Sequence, residues 1–119
     1  MLAIRPSQMQ VFSQGMLGQF HDRMVAHLTR KYPEKTAAMP EPELRGFIQN
    51  GLEQAKNYQV KAEKDVRRYL ECMMSHGAGF DRDPKCRWAG QILRRKKLTG
   101  TQKMDQISDY ELFVFKGKA

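Results

Sequence analysis

Apolar side chains recur every three or four positions near the start of the chain, and this spacing constrains the fold more than any other feature. The stripe consists of Met9, Phe12, Met16, Phe20, Met24 and Leu28. Residues at this spacing share one face of an α-helix, and that face must be buried against another element. With Pro6 and Ser7 at its start, the pattern predicts a helix from Ser7 to about Lys31. Gly15 and Gly18 within it predict close packing against a neighbour.

Proline and glycine divide the rest of the chain into shorter helical segments. We expect helices from Glu43 to about Asn57, from Lys61 to His76, from Pro84 up to Thr99-Gly100, and from Thr101 to about Phe113. The segment from Leu112 to Phe115 is apolar and rich in strand formers, so both a helix and a strand are open there. The expected fold is all-α, a single-domain bundle of about five helices spanning residues 1–119.

The positive charge of the chain is concentrated in one segment. The sequence has 21 Lys and Arg and 13 Asp and Glu, a formal net charge of +8. Residues 84–104 contain no acid and carry Lys85, Arg87, Arg94, Arg95, Lys96, Lys97 and Lys103. We place most of these bases on the outer face of the helix that starts at Pro84. Because the remaining chain is nearly neutral, this segment predicts a contact surface for a negatively charged partner, either an acidic protein or nucleic acid.

Several classes of protein are not expected from the sequence. No run of about 18 apolar residues predicts a transmembrane helix, and the first residues do not resemble a secretory signal peptide. Two cysteines, Cys72 and Cys86, are few for a secreted disulfide scaffold, so we expect reduced thiols. The expectation is a cytoplasmic protein with no membrane partner.

The side chains that could carry chemistry do not form a known motif. Cys72 and His76 are four residues apart on a predicted helix, and Cys86 is a third possible metal ligand. No fourth ligand suggests itself, and neither a phosphate-binding glycine loop nor a nucleophile elbow is present. We therefore predict no catalytic residue, no metal and no cofactor, and we expect a non-enzyme. An enzyme or metalloprotein that uses Cys72 and His76, with Cys86 as an optional third residue, is kept as a further hypothesis.

The middle of the chain resembles a group of small helical proteins encoded beside effectors of the bacterial type VI secretion system. The matching residues are Leu44, Arg45, Phe47, Ile48, Gly51, Ala55, Tyr58, Glu63, Asp65, Val66, Tyr69, Leu70, Gly79, Phe80, Asp81, Asp83, Pro84, Trp88, Ala89, Ile92 and Leu93. The resemblance implies a helical accessory protein, such as a chaperone, co-chaperone or adaptor that helps to load an effector. Immunity proteins, which bind and block a toxin, are also encoded beside such effectors. Neither Arg94–Lys97 nor Leu112–Phe115 belongs to the resembling pattern.

Together these observations predict a protein that binds another protein, such as a secreted effector or toxin. The predicted contact residues are Arg87, Arg94, Arg95, Lys96, Lys97, Phe113 and Phe115. Arginine and aromatic side chains often supply most of the binding energy of an interface. The alternatives are an immunity protein that neutralises a toxin and a small basic protein that binds nucleic acid.

Overall fold

Six α-helices account for most of residues 14–115, the part of the chain that this computed structural model describes. They are α1 (Gln14–Lys31), α2 (Pro33–Ala37), α3 (Glu41–Asn57), α4 (Glu63–His76), α5 (Arg87–Leu93) and α6 (Gly100–Tyr110). A 3-10 turn, Pro84–Cys86, precedes α5, and a π-helical turn, Glu111–Phe115, follows α6. The predicted all-α bundle is confirmed. The first turns predicted from Ser7, with Met9 and Phe12, lie outside the described residues.

The core lies where α3 packs against α1 and α4, and where α6 packs against α4 and α5. Its largest fully buried side chains are Phe20, Met24, Leu28, Ile48, Tyr69, Leu70, Met73, Phe80, Leu93, Met104 and Ile107. The predicted stripe of α1 is thus buried from Phe20 onward, whereas Met16 is 53% exposed. The apolar spacing of the sequence therefore identifies the inner face of α1 within its described part, but not the point at which burial begins.

Close helix packing occurs at Gly51 and not at Gly18, one of the two glycines of α1 that the sequence singled out. A Cβ atom at Gly51 would lie 2.4 Å from Cδ2 of Leu70 and 2.8 Å from Sδ of Met73. At Gly18 no atom of the described residues lies within 4 Å of such an atom, so the expectation there is wrong, and the surroundings of Gly15 lie outside the described side chains. The absence of a side chain at Gly51 lets α3 and α4 approach closely.

Local capping fixes where α5 and α6 begin. Asp83 accepts a hydrogen bond from the backbone N–H of Lys85, as expected for a residue that starts a helix, but the first turn is 3-10. Thr99 and Gln102 form a reciprocal capping box at the start of α6. The predicted break at Thr99-Gly100 is therefore also a helix start, one residue earlier than expected.

Polar contacts tie α6 to α4. The hydroxyl of Thr101 donates to Oδ2 of the buried Asp65 at 2.5 Å. Arg68 donates to Oδ1 of Asp65 at 3.2 Å and to Oδ1 of Asp105 at 2.9 Å, so one guanidinium joins the two helices. Because Asp65 is only 1% exposed, these donors compensate for its lost hydration. They hold α6, and the turn that follows it, in a fixed position.

The segment after α6 continues as a helix and is not a strand. Glu111–Phe115 forms a single π-helical turn directly after Tyr110. In this turn Leu112 is 53% and Phe113 is 73% exposed. Among the helices of the described range, none combines the length and apolarity that a bilayer span requires.

Candidate protein-binding surface

The four consecutive bases Arg94, Arg95, Lys96 and Lys97 lie in the connection between α5 and α6. Because α5 ends at Leu93, they do not occupy the outer face of that helix, and the sequence-based placement is wrong. All four side chains are exposed. We call this segment, Arg94–Lys97, the basic loop.

A contact from a distant part of the chain accounts for the position of the basic loop. Nη2 of Arg94 donates to the carbonyl oxygen of Asp81 at 3.0 Å. A Cβ atom at Gly90 would lie 2.5 Å from Nη1 of Arg94 and 2.6 Å from that same carbonyl oxygen. Glycine at position 90 therefore makes room for the guanidinium to fold back across α5. This return fixes the start of the basic loop.

The cations of this region are not neutralised by carboxylates. Within residues 14–115, no salt bridge involves Lys85, Arg87, Arg94, Arg95, Lys96 or Lys97. The two arginines of the basic loop bond to neutral groups, since Arg95 donates to the side-chain oxygen of Gln106 at 2.7 Å. The six exposed bases therefore keep their positive charge available to a partner.

Lys103, the seventh base of the acid-free segment, does not contribute to this surface. Its side chain is 3% exposed, and its Nζ donates to the carbonyl oxygen of Tyr58 at 2.7 Å. Burial lowers the pKa of Lys103, because an ammonium group loses hydration in the interior. Lys103 thus anchors α6 to the end of α3.

A groove beside the basic loop is lined mainly by apolar surface. Its volume is about 400 Å³, and its lining residues are Ile92, Arg95, Gln106, Asp109, Tyr110 and Phe113. We call it the apolar groove. The ring of Tyr110 is stacked on that of Trp88, with 4.3 Å between centroids and 8° between planes. This stack places an ordered aromatic side chain in the groove, and Phe113 stands at its edge with most of its ring in solvent.

The structure divides the predicted contact residues between two places. Arg87 and Arg94 line a smaller depression of about 260 Å³ together with Asp81 and Asp83. Arg95 and Phe113 line the apolar groove, and Lys96 and Lys97 continue the basic loop without lining either site. The side chain of Phe115 lies outside the described residues. The two predicted residue types, cationic and aromatic, therefore meet at Arg95 and Phe113.

A larger groove contains Cys72 and His76, two of the three side chains that the sequence marked as possible metal ligands, but not Cys86. It has a volume of about 570 Å³ and is lined by Lys31, Tyr32, Arg68, Glu71, Cys72, Ser75, His76, Ser108, Glu111 and Leu112. We call it the polar groove. His76 Nε2 lies 2.7 Å from Oε2 of Glu111, and His27 Nε2 lies 2.5 Å from Oε2 of Glu71. These pairs join α4 to the π-helical turn and to α1.

The two thiols are buried and have raised pKa values. Burial raises the pKa of Cys72, and the nearby carboxylates of Glu111 and Glu71 raise it further. Burial also raises the pKa of Cys86. A thiol with a raised pKa is a poor nucleophile at neutral pH, because the thiolate is the reactive form. In the described part of the chain, no three His, Cys, Asp or Glu side chains are placed to hold a metal ion.

Sequence reasoning predicted Phe113 as a contact residue but missed Gln106, Asp109 and Tyr110 as members of the apolar groove, although a signal is present. Gln106, Tyr110 and Phe113 are separated by four and three residues, which is the spacing of one helix face. Ile92 was expected only in the core. The groove was not predicted, because it exists only where α5 packs beside α6.

The fold and this surface define an all-α protein with a cationic loop beside an exposed apolar groove. Comparison of the chain with protein-family models, with curated proteins and with solved structures gave no match. The function of this surface must therefore be inferred from the residues that form it.

Proposed function

We propose that this chain is a non-catalytic accessory protein of a bacterial type VI secretion effector module. In this proposal it binds a secreted effector as a chaperone, co-chaperone or adaptor. The resemblance of the segment from Leu44 to Leu93 to such accessory proteins supports the module, and the surface beside it supports protein binding. Contact is made through the basic loop and the apolar groove.

The observation that carries the proposal is the combination of free cationic charge with an exposed aromatic ring. Phe113 is 73% exposed and lines the same groove as Arg95, whose guanidinium has no carboxylate partner among residues 14–115. Water contact with an exposed phenylalanine costs free energy, and burying it in a complex recovers roughly 1.5–3 kcal/mol. A polar rim around an apolar centre is the usual arrangement of a protein interface.

The same observation favours a protein partner over nucleic acid. Proteins that bind single strands offer the faces of aromatic rings to successive bases. Here one face of Tyr110 is covered by Trp88, and the cations lie beside an apolar groove and not along an extended basic track. Phosphate contacts alone leave that groove without an occupant.

A pull-down with the effector encoded next to this chain tests the proposal. We expect the tagged wild-type protein to retain that effector. A Lys96→Glu, Lys97→Glu variant is expected to lose it, because both side chains are exposed and make no described contact that folding requires. The matched control is Lys56→Glu, Lys64→Glu, which makes the same change of charge at exposed positions on α3 and α4.

The result also separates the alternatives. No retention of the effector by the wild-type protein contradicts the proposal. Retention together with loss of the effector's toxic activity shows an immunity protein, whereas an effector that keeps its activity supports a helper. A shift of DNA or RNA at low salt that disappears steeply with added salt shows the nucleic-acid alternative.

A further inference from the structure

We infer that the apolar groove binds an acidic amphipathic α-helix of the partner. This inference rests on the proposed function and identifies the kind of segment that the surface recognises. The apolar residues of the helix enter the groove between α5 and α6, and its carboxylates face the basic loop.

The size of the groove sets the number of apolar side chains that it accepts. Its volume is about 400 Å³. A cavity of roughly 150 Å³ is large enough to hold benzene. The apolar groove therefore has room for about two side chains of that size, which an amphipathic helix presents one turn apart on a single face.

The walls of the groove are held in place before a partner arrives. Ile92 is 6% exposed and belongs to the core, and the ring of Tyr110 is fixed by its stacking on Trp88. The ring of Trp88 is in turn edge-on to that of His76, with centroids 5.6 Å apart. Because these side chains are already ordered, binding needs little additional loss of conformational entropy.

The charges around the groove determine which side chains the bound segment carries beside its apolar face. Gln106 holds the guanidinium of Arg95 in one direction at the groove wall, and Lys96 and Lys97 follow directly in the basic loop. Asp109 is the one acidic lining residue. A segment with carboxylates beside its apolar residues complements this arrangement, whereas a basic segment is repelled by it.

The secondary structure around the groove favours a helix over a strand as the occupant. A strand binds by adding itself to the free edge of a sheet. Residues 14–115 contain no strand and therefore offer no such edge. A helix satisfies its own backbone hydrogen bonds and needs only side-chain contacts, which is what the apolar groove provides.

Binding of a designed peptide by the full-length protein tests this inference. The probe is a fluorescent helix of about 18 residues with leucines on one face and glutamates elsewhere, long enough to retain some helicity alone. We expect it to bind, and we expect a peptide of the same composition with the leucines scattered around the helix not to bind. Replacement of every glutamate by lysine should also abolish binding.

Two neighbouring residues of the π-helical turn provide a matched pair of variants. Phe113 lines the apolar groove, whereas Leu112, also exposed, lines the polar groove. We expect Phe113→Ala to weaken peptide binding by at least about tenfold, as for an aromatic residue at the centre of an interface. Leu112→Ala should change it by less than about twofold. Lys96→Glu, Lys97→Glu should weaken binding and remove most of its salt dependence.

Several results overturn the inference. These are no binding of the leucine-glutamate peptide, equal binding of the scattered peptide, or equal effects of the two alanine variants. If the wild-type protein forms dimers through Phe113, the groove binds a second copy of the chain. If the protein binds nucleic acid and Phe113→Ala abolishes that binding, the groove binds nucleic acid. If the effector is retained but the peptide is not bound, the helix is wrong and the proposed function stands. If the peptide is bound but the effector is not retained, the proposed function fails.

Discussion

The packing of α3 on α4 can be tested by adding one methyl group at each of two glycines of the same helix. Gly51 is buried, and a Cβ atom there would lie 2.4 Å from Leu70 and 2.8 Å from Met73, both of which are almost fully buried. Gly46 is exposed, and within residues 14–115 nothing lies within 4 Å of a Cβ atom there. In both variants alanine gains about 1 kcal/mol of helix propensity.

The difference between the two variants isolates the steric term. Gly46→Ala should raise the free energy of unfolding by about 1 kcal/mol. Gly51→Ala gains the same propensity but adds an overpacking cost of about 1–3 kcal/mol, because the added methyl group overlaps the buried side chains of Leu70 and Met73. The two variants should therefore differ by about 1–3 kcal/mol, with Gly46→Ala the more stable.

Urea denaturation followed by circular dichroism measures this difference. With a slope of about 2 kcal/mol per molar urea, the midpoints of the two variants should lie about 0.5–1.5 M apart. Equal midpoints would refute the close approach of the two helices at Gly51. The double variant Gly51→Ala, Leu70→Ala adds a check. Its destabilisation should be smaller than the sum of the two single changes, because the new methyl group fills part of the space that Leu70 leaves.

Two further predictions concern the buried polar groups. Thr101→Val removes the hydroxyl that donates to the buried carboxylate of Asp65 at 2.5 Å. In a urea titration this variant should have a free energy of unfolding about 1–3 kcal/mol lower than that of the wild-type protein. A change below about 0.5 kcal/mol would contradict the role of this hydrogen bond. The second concerns alkaline pH. Burial raises the pKa of Cys72 above its ordinary value of 9.0, so the folded protein keeps this thiol neutral while the unfolded chain ionises. Its contribution to stability is therefore complete well below pH 9 and falls above it with a slope that approaches about 1.4 kcal/mol per pH unit, so Cys72→Ala should lose about 1 kcal/mol less stability between pH 9 and pH 10.

The sequence predicts the helices well where the signals are local. The helix ends at Asn57 and His76 agree with the structure, and the starts at Glu41 and Glu63 differ from the prediction by two residues. Prolines, helix caps and apolar spacing act over a few residues, so they can be recognised from the sequence alone. The contact at Gly51 depends on a helix further along the chain, and nothing next to Gly51 distinguishes it from Gly18.

The basic loop shows why the surface was harder to predict than the helices. Arg94, Arg95, Lys96 and Lys97 are good helix formers, and neither glycine nor proline occurs between Leu93 and Thr99, so propensity extends the helix through them. The structure ends α5 at Leu93, and Arg94 bonds back to the carbonyl oxygen of Asp81. That partner is 13 residues away, and the contact needs the space above Gly90. The sequence therefore identifies the charge of this surface but not its shape.

The two grooves lie on either side of the same π-helical turn, and this arrangement gives the polar groove a structural role. Glu111 holds one end of the turn through His76, whose ring is also edge-on to Trp88. Trp88 stacks on Tyr110, which lines the apolar groove beside Phe113. His76, which the sequence marked as a possible metal ligand, thus supports the aromatic side chains of the proposed interface together with Glu111. Because ordered groove walls reduce the conformational entropy lost on association, these polar contacts should favour binding of the proposed partner without touching it.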